Sequence, residues 1–404
     1  MEKKEKETVA LLSLSHFFCH VAILTYPAIL ILIKDRFHVD YETLGTVAGI
    51  YLFLFGAGSL PVGFIADKIK KKHILRIYLA GMSLFSFAAA VSTNFYVFSL
   101  SIIFMGLIGS IYHPVGLSMM SFIGSDKLRA FAIHGIAGTL GVALSAGFAG
   151  ILGYFLGYNF PYLILGIIFL SLFVLSYIFK LQIDTGDTAA SAVKDQAKEK
   201  SASASAFSGF VKEFFHLNLV LIFIAEFMNG FVFQGVFSFL PAYVGTELKN
   251  YIFFHNQAAA AGGFFVTIAL MVGVFFQYNS TRITKNYKSN KAFAFLVLAS
   301  GIFLLISGFT HNILLFISVL AFSAFNFSIN PISNLMISQN AHEKYRATAY
   351  GVFFFSGFGI GSVAAPIGGI IAQKFALHWI FVMFGLVLLA SFAISSAIKE
   401  GKYR

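Results

Sequence analysis

The sequence predicts an all-α membrane protein with twelve transmembrane helices, arranged as two pseudo-symmetric six-helix bundles. Composition, a series of long apolar segments and an internal repeat lead to this prediction. Of the 404 residues, 58% are hydrophobic and only 11% are charged, whereas soluble domains carry about 25% charged residues. The 51 phenylalanines add apolar surface that a soluble core has no room to bury. A lipid bilayer is the environment in which such a chain is stable.

Twelve segments are long and apolar enough to cross a bilayer, which requires roughly 20 helical residues. They are continuously apolar rather than alternating, which is typical of helices and not of barrel strands. The first segment is too long for the core of a signal peptide, so we expect it to be retained as span 1. The predicted spans 1 to 12 cover residues 9–33, 44–66, 73–93, 96–122, 130–155, 159–180, 217–243, 256–278, 291–310, 312–338, 347–373 and 376–397.

The distribution of basic residues predicts the orientation of these spans. With both termini in the cytoplasm, 24 of the 28 Lys and Arg residues fall on the cytoplasmic side, as the positive-inside rule requires. The four on the outer side are Lys34, Arg36, Lys249 and Lys374. Because the net charge of +11 lies in short loops between apolar segments, it does not indicate nucleic-acid binding. We expect a multi-pass protein of the cytoplasmic membrane.

A polar segment divides the chain into two domains. Residues 182–216 are rich in Ala, Ser and Lys, a composition that buries little apolar surface and is typical of a flexible linker. The predicted domains are therefore an N-terminal bundle at 1–181, a cytoplasmic linker at 182–216 and a C-terminal bundle at 217–404.

The two bundles are related by an internal repeat. Residues 113–121 of span 4 align with residues 330–338 of span 10 at an offset of 217, and they share a proline, a methionine and a final serine. Repeats that run in the same direction are related by an axis along the membrane normal. Two further pairs of segments align in order along the chain, Arg129-Ala130 with Arg346-Ala347 and Pro27-Ala28 with Pro241-Ala242.

The loop after span 2 carries a recognisable pattern. Gly63 is followed by three residues, then Asp67, and then a basic cluster that begins at Lys68. This loop resembles the cytoplasmic signature of the major facilitator superfamily, although Lys70 stands where the family usually has glycine. An ordinary cytoplasmic loop explains the basic residues but not Asp67. The resemblance implies two halves that rock about a central site, and a gating contact of Asp67 with Arg129 or with the N-terminus of span 5.

A second motif lies in span 4. The segment Tyr112-His113-Pro114-Val115-Gly116 is similar to the His-Pro segment of the branch that includes fosmidomycin-resistance efflux proteins. This similarity implies export of a small molecule, and it does not identify the substrate.

Polar side chains within the spans indicate where a solute would bind. Such side chains are costly in lipid and normally face the bundle interior or a cavity. Most of them here fall on spans 1, 4, 7 and 10, which line the central cavity in the superfamily. His16 and His20 are spaced for one helical face, as are the three asparagines of span 10. The three polar residues of span 7 are also expected to lie roughly on one face. The predicted substrate and proton pathway comprises His16, His20, His113, Glu226, Asn229, Gln234, Asn326, Asn330 and Asn334.

Glu226 is the candidate for the coupling proton, because it is the acidic residue predicted near the middle of the membrane. We expect His20 or His113 to be its partner. A carboxyl group bonded to a neighbouring helix, or in contact with a cationic substrate, is the alternative, and each histidine also admits a simple packing role. His134 and residues 255–257 are predicted to lie near the membrane surfaces and receive no role. The glycines of spans 5 and 11 predict close helix packing.

These observations predict a secondary transporter that moves a small organic solute by alternating access, in proton-coupled efflux. Uptake of a small neutral or weakly acidic metabolite and a non-transporting membrane sensor or scaffold are the alternatives. No enzyme is expected, because the sequence shows no nucleophile–base pair, metal constellation or P-loop, and Cys19 is the single cysteine. The expected partners are a small-molecule substrate, H⁺ and the lipid bilayer, with no cofactor, no metal and no nucleic acid, and the chain is expected to be a monomer.

Overall fold

A computed structural model describes residues 1–66, 69–123, 126–179, 181, 216–251, 257–282, 287–341 and 346–401. Within these ranges the chain is helical, and twelve helices are long and apolar enough to cross a membrane. The protein is therefore a multi-pass membrane protein, as predicted. Spans 1 to 12 comprise Lys3–Ala28, Tyr41–Gly63, Lys71–Val91, Phe95–Met120, Arg129–Leu156, Phe160–Ile178, Leu217–Leu248, Ala258–Asn279, Ser289–Phe309, Asn312–Asn340, Ala349–Lys374 and Leu377–Ser396.

Each predicted span corresponds to one observed helix. The shortest connections are also reproduced, since span 3 ends at Val91 and span 4 begins at Phe95. Span 1 begins earlier than predicted and ends at Ala28, directly after Pro27. A separate helix, Leu30–Phe37, then leads to span 2. Of the predicted linker at 182–216, residues 182–215 lie outside the described residues, so the domain boundaries remain a prediction.

Because the number of spans is even, both termini lie at the same end of the helix bundle. We call this end the terminal face and the other end the opposite face. Odd-numbered spans run from the terminal face to the opposite face, and even-numbered spans run back.

The two halves repeat the same helix packing. In the N-terminal half, span 3 packs on span 6 and span 2 packs on span 4. In the C-terminal half, span 9 packs on span 12 and span 8 packs on span 10. Each pair in one half has its equivalent six spans later, which agrees with the repeat seen in the sequence.

Spans 4 and 11 depart from a regular α-helix near a proline, as does span 2 nearer its end, at Gly58 before Pro61. In span 4 the helix is interrupted between Gly109 and Tyr112, and Pro114 lacks the N–H that would bond to the carbonyl of Ser110. In span 11, Phe355–Gly359 is π-helical and Ile360–Val363 is a 3-10 helix, shortly before Pro366. Irregular turns of this kind occur frequently at functional sites. The irregular segments of spans 4 and 11 lie at the middle of their spans.

The halves are joined at the opposite face by close contacts between small residues. A Cβ atom on Gly45 of span 2 would lie 2.6 Å from the carbonyl oxygen of Ala365 and 3.0 Å from the Cα of Gly369, both in span 11. A Cβ atom on Gly150 of span 5 would lie 2.9 Å from the Cα of Gly263 in span 8. The backbones therefore touch, and no larger residue fits. We refer to these two contacts, spans 2 with 11 and spans 5 with 8, as the seam.

The same helices separate toward the terminal face. Spans 2 and 11 still meet in the middle, where a Cβ atom on Gly56 would lie 2.5 Å from the backbone nitrogen of Gly359. Nearer the terminal face, a Cβ atom on Gly63 of span 2 or on Gly351 of span 11 would meet no atom of the described residues within 4 Å. The same holds for Gly135 of span 5. The structure is closed at the opposite face and open at the terminal face.

Candidate functional site

Polar side chains from both halves converge in the middle of the protein, between the seam and the open terminal face. The N-terminal half contributes a group of histidines, and the C-terminal half contributes a carboxyl group and amides. Aromatic rings lie between the two groups.

His16, His20 and His113 form a compact cluster, which we call the histidine cluster. The Nε2 atoms of His16 and His20 are 3.2 Å apart, because the two residues lie one helical turn apart on span 1. The ring of His113, from span 4, lies 5.2 Å from the ring of His16 and 5.3 Å from that of His20, measured between centroids. One imidazole nitrogen of each residue lies within 4.8 Å of the others, an arrangement that could hold a metal ion.

Two hydrogen bonds fix the orientation of His16 and its neighbour His134. The Nδ1 of His16 lies 2.9 Å from the backbone carbonyl oxygen of His134, so Nδ1 carries the proton and donates. The hydroxyl of Tyr112 donates to the carbonyl of Leu12 and lies 3.0 Å from Nε2 of His134, which must therefore donate to it. The Nε2 of His16 is therefore unprotonated and accepts a hydrogen bond from Nε2 of His20 at 3.2 Å.

His134 requires a correction to the sequence analysis, which placed it near the membrane surface without a role. The structure buries His134 against His16, with the two rings stacked at a centroid distance of 4.2 Å. The prediction was wrong because it considered only that His134 lies close to the start of span 5 in the sequence. In the structure, span 1 packs over that part of the helix. The sequence analysis also expected no group of metal-binding residues, because it did not predict that histidines from different spans lie close together.

Gly138 of span 5 makes room for the histidine cluster. A Cβ atom at this position would lie 2.2 Å from Cε1 of His16. One turn further along, a Cβ atom on Gly141 would lie 2.3 Å from the backbone carbonyl oxygen of Phe17. The predicted close packing of the span 5 glycines is confirmed at these two positions, and at Gly138 the space is filled by an imidazole ring.

Aromatic rings connect the histidine cluster to the C-terminal half. His113 contacts Phe55 of span 2 and Phe354 of span 11, with centroid distances of 5.7 and 5.8 Å. Phe354 stacks on Phe358 at 4.6 Å, and Phe358 lies 6.3 Å from Phe233 of span 7. These contacts cross from one half to the other. Sequence patterns did not single out these rings, because phenylalanine is common in every span.

Glu226 lies half-buried in span 7 and receives a hydrogen bond from Ser333 of span 10, with an Oγ to Oε2 distance of 3.2 Å. Its other carboxyl oxygen faces span 11 at Gly357. In the part of the chain that the structure describes, Glu226 makes this contact rather than one with the predicted partners His20 or His113. The sequence analysis missed Ser333 as a neighbour of Glu226. Its position could have been noticed, because Ser333 lies seven residues after Asn326 and so on the face of span 10 that carries the asparagines.

The other polar residues of span 7 point in different directions. Gln234 donates to the carbonyl of Phe358 at 3.4 Å, next to the irregular turn of span 11. Asn229 instead lies against Ser391 of span 12, inside the C-terminal half. The prediction treated Glu226, Asn229 and Gln234 as one face, but at about 100° per residue the two amides lie about 140° apart around the helix. Asn229 thus faces away from the centre.

The asparagine stripe of span 10 becomes more exposed toward the terminal face. Asn326, near the middle, is buried, whereas Asn330 and Asn334 are exposed. The backbone carbonyl of Asn334 accepts a hydrogen bond from the hydroxyl of Tyr350 in span 11, at 2.9 Å. This gradient of exposure follows the opening of the halves.

The structure describes only some of the predicted gating residues. Asp67 and Lys68 lie outside the described residues, so their contact with Arg129 remains a prediction. Gly63 faces open space, and Arg129 is exposed. The N-terminus of the span 5 helix is capped by Asp126, whose carboxyl accepts from the backbone N–H of Arg129. Asp126 therefore fills one of the two positions that the resemblance implied for Asp67.

A separate cleft lies away from this centre. It has a volume of about 320 Å³ and is lined by residues of spans 9 and 12, among them Asn290, Phe295 and Phe392. It lies at the terminal face within the C-terminal half, and it contains none of the predicted pathway residues. The polar centre between the halves is therefore the candidate site.

Comparison with known proteins identifies the family. A family model described as Major Facilitator Superfamily matches residues 12–366. The chain belongs to the major facilitator superfamily. A "Probable sugar efflux transporter" of Helicobacter pylori (strain ATCC 700392 / 26695) is 24% identical over 160 residues, which cover 39% of this chain and 41% of the relative. Human "Solute carrier family 22 member 16" is 35% identical over 101 residues, 23% of this chain and 18% of the relative. The chain therefore spans less than half the length of these relatives.

Solved structures of the superfamily share the fold over nearly the whole chain. A mutant of the nucleoside transporter NupG has a TM-score of 0.78 at 16% identity, covering 98% of this chain and 100% of the other. A D-xylose-proton symporter has a TM-score of 0.74 at 12% identity, with coverage of 98% and 100%. A bacterial homolog of the lysosomal transporter Spinster, in an inward-facing and occupied conformation, has a TM-score of 0.78 at 12% identity and covers 98% and 97%. These similarities confirm the predicted major facilitator fold.

Proposed function

We propose that the protein is a secondary transporter that exports a small organic solute by alternating access, driven by proton movement. Both termini then lie in the cytoplasm, the chain acts as a monomer in the cytoplasmic membrane, and the open terminal face is the cytoplasmic entrance. The observation that carries the proposal is the contrast between a closed opposite face and an open terminal face, with polar groups of both halves between them.

Alternating access requires a central site that is reached from one side at a time. The seam closes the opposite face by backbone contacts at Gly45 and Gly150. Spans 2 and 11 separate on the other side of the centre, where Gly63 and Gly351 face open space. Rocking of the halves about the centre would open the seam and bring the terminal ends together.

The chemistry of the centre fits a small organic solute. Imidazole and amide groups both donate and accept hydrogen bonds, and the partly exposed rings of Phe354 and Phe358 offer faces for an apolar or planar part of the solute. Such a combination of apolar surface with a few polar groups is typical of small-molecule sites. The relative named as a sugar efflux transporter, which matches 39% of this chain, supports export of a small polar compound.

Glu226 is the proposed proton carrier. It is a half-buried acid within an apolar span, and Ser333 donates to one of its oxygens. Intramembrane carboxyl groups of this kind occur in the proton relays of transporters. Binding and release of a proton would change the charge of the centre and so link proton movement to the exchange of solute.

A growth assay tests transport and its direction. Cells with and without the protein are exposed, at several external pH values, to a panel that includes fosmidomycin and toxic sugar analogues. Export predicts a gain in tolerance that depends on external pH. Greater sensitivity would instead indicate uptake, and an unchanged response to all compounds would favour the sensor or scaffold alternative.

Replacement of Glu226 tests the coupling. Glu226→Gln keeps the shape of the side chain and removes its titration, so we expect loss of proton movement into proteoliposomes, recorded with an internal pH-sensitive dye and the compound found in the growth assay. The matched control is Glu247→Gln in the same span, where the carboxyl group pairs with His311 away from the centre. Equal proton movement in the Glu226→Gln variant and the unchanged protein would contradict the assignment.

A further inference from the structure

We propose that His16, His20 and His113 bind a divalent first-row transition metal ion, with one coordination position open toward the gap between the halves. The site lies in the centre to which the proposed function assigns the solute. The positions of the imidazole nitrogens and the groups that orient them favour this site.

The spacing of the first two nitrogens matches metal coordination. A tetrahedral zinc ion with Zn–N distances of about 2.0–2.1 Å places neighbouring ligand nitrogens about 3.3 Å apart. The Nε2 atoms of His16 and His20 are 3.2 Å apart. Without metal the two atoms share a hydrogen bond in which His20 donates. With the proton of His20 moved from Nε2 to Nδ1, the two nitrogens would occupy two corners of a tetrahedron at nearly the distance they have now.

The orientation of His16 is that of a metal ligand. Ligating histidines normally donate their second N–H to a carbonyl or carboxylate, which fixes the tautomer. His16 does so through Nδ1 to the carbonyl oxygen of His134, at 2.9 Å. Its unprotonated Nε2, which accepts the hydrogen bond from His20, is consequently the nitrogen that an ion would bind. The stacked ring of His134 together with Gly138 restricts rotation of the imidazole.

His113 supplies the third ligand. The nitrogens of the three residues lie within 4.8 Å of one another, so His113 needs a small rotation to reach the ion. Its ring packs against Phe55 and Phe354, which are apolar and make no competing bond. His113 lies in the first turn of the helix that resumes at Tyr112, directly after the interruption of span 4.

The ligand set determines the chemical class of the ion. Neutral imidazoles suit Zn²⁺, Ni²⁺, Cu²⁺ and Co²⁺ and disfavour Mg²⁺ and Ca²⁺, which require oxygen ligands. Three protein ligands leave a fourth position for an exchangeable donor, unlike a closed structural site. Because the cluster faces the aromatic rings of the other half, that donor is water or an oxygen or nitrogen atom of the solute.

Metal titration of the full chain in detergent tests the proposal. The protein carries a purification tag without histidine, and Co²⁺ is the probe because its visible absorption reports the coordination number. We expect one Co²⁺ per chain in a four-coordinate site, displaced by Zn²⁺. Absence of saturable binding, or a stoichiometry that is unchanged in the His16→Asn/His20→Asn/His113→Asn variant, would overturn the proposal.

Single variants and a chemical probe complete the test. His16→Asn, His20→Asn and His113→Asn are each expected to weaken binding by at least about 10-fold, whereas His311→Asn, at the opposite face, leaves it unchanged. If a variant does not fold, Zn²⁺ should still protect the three histidines of the unchanged protein from diethyl pyrocarbonate, and equal modification with and without Zn²⁺ would contradict the site. Metal binding is measured without solute, so a lack of metal binding does not contradict the transport proposal. Equally, if no transport is found, the metal titration can still be interpreted.

Discussion

The two ends of this protein are built from the same four helices and have opposite packing. At the opposite face, spans 2 and 11 and spans 5 and 8 meet through glycine and alanine at backbone distance. At the terminal face, Gly63, Gly135 and Gly351 of the same helices face open space. Small residues therefore occur both where these helices are in backbone contact, at the opposite face, and where they are apart in this conformation, at the terminal face.

The seam also follows the internal repeat. Gly45 and Gly263 lie 218 residues apart, and Gly150 and Gly369 lie 219 residues apart, close to the offset of 217 found between spans 4 and 10. Each of these glycines in the N-terminal half thus contacts the repeat equivalent of the other one: Gly45 contacts Gly369, and Gly150 contacts Gly263. Two related contacts of this kind are expected to open and close together.

The largest effect is expected from a large residue in the seam. Gly263→Leu would force span 8 away from Gly150, where the backbones touch, and overpacking of this kind costs about 2–3 kcal/mol. We expect a lower free energy of unfolding in detergent, measured from thermal denaturation, and faster labelling of a cysteine introduced at position 146. The native Cys19 is buried and gives the background. Stability equal to that of the unchanged protein would show that the seam is not closely packed.

The matched variant at the open end is Gly351→Leu. Because a side chain at this position meets no atom within 4 Å, we expect the free energy of unfolding to change by less than about 0.5 kcal/mol. Solute transport should nevertheless fall by at least about 10-fold, equivalent to about 1.4 kcal/mol, if spans 2 and 11 must approach there during the cycle. Normal transport with a leucine at this position would indicate that the terminal face does not close around Gly351.

A polar contact in the seam should have a smaller effect. The hydroxyl oxygen of Thr267 in span 8 accepts from the backbone N–H of Gly147 in span 5, at 2.7 Å. Thr267→Val keeps the size of the side chain and removes the acceptor, so we expect a loss of about 1 kcal/mol in unfolding free energy. Thr139→Val is the control, since that hydroxyl bonds to the carbonyl of Gly135 in its own helix. An equal loss of unfolding free energy in the two variants would show that the hydrogen bond of Thr267 across the seam contributes no more than one within a single helix.

The smallest predicted effect concerns the start of span 2 at the closed end. The side-chain and backbone hydrogen bonds from Thr43 lower the pKa of Asp40, which caps the helix through the amide of Thr43 at 2.8 Å. Asp40→Ala should cost about 0.5–1 kcal/mol at neutral pH. Since the folded-state pKa is lowered, this stabilisation is present above the unfolded pKa of about 3.9 and is lost as pH falls through the folded pKa. Asp40→Asn, which caps without titrating, should retain stability without this pH dependence in thermal denaturation.

The spans could be predicted from the sequence because membrane insertion depends on the composition of each segment taken alone. The same local reasoning located His16, His20, His113 and Glu226 inside the membrane. It was wrong where the position of a side chain depends on a neighbouring helix. His134 was predicted to lie near the membrane surface, although span 1 covers it. Asn229 was placed on the same face as Glu226, although it packs against Ser391. Side-chain direction depends on how each helix is rotated against its neighbours, and the sequence of one span does not contain that information.

The sequence by itself determined twelve apolar helices, two related halves, and the identity of the polar residues between them. Only the tertiary structure decided that the histidines of spans 1 and 4 meet, that Ser333 bonds to Glu226, and that the seam is closed while the terminal face is open. The physical reason is the range of the interactions. Hydropathy acts over some 20 consecutive residues, whereas the packing of Gly138 on His16 joins residues more than a hundred positions apart.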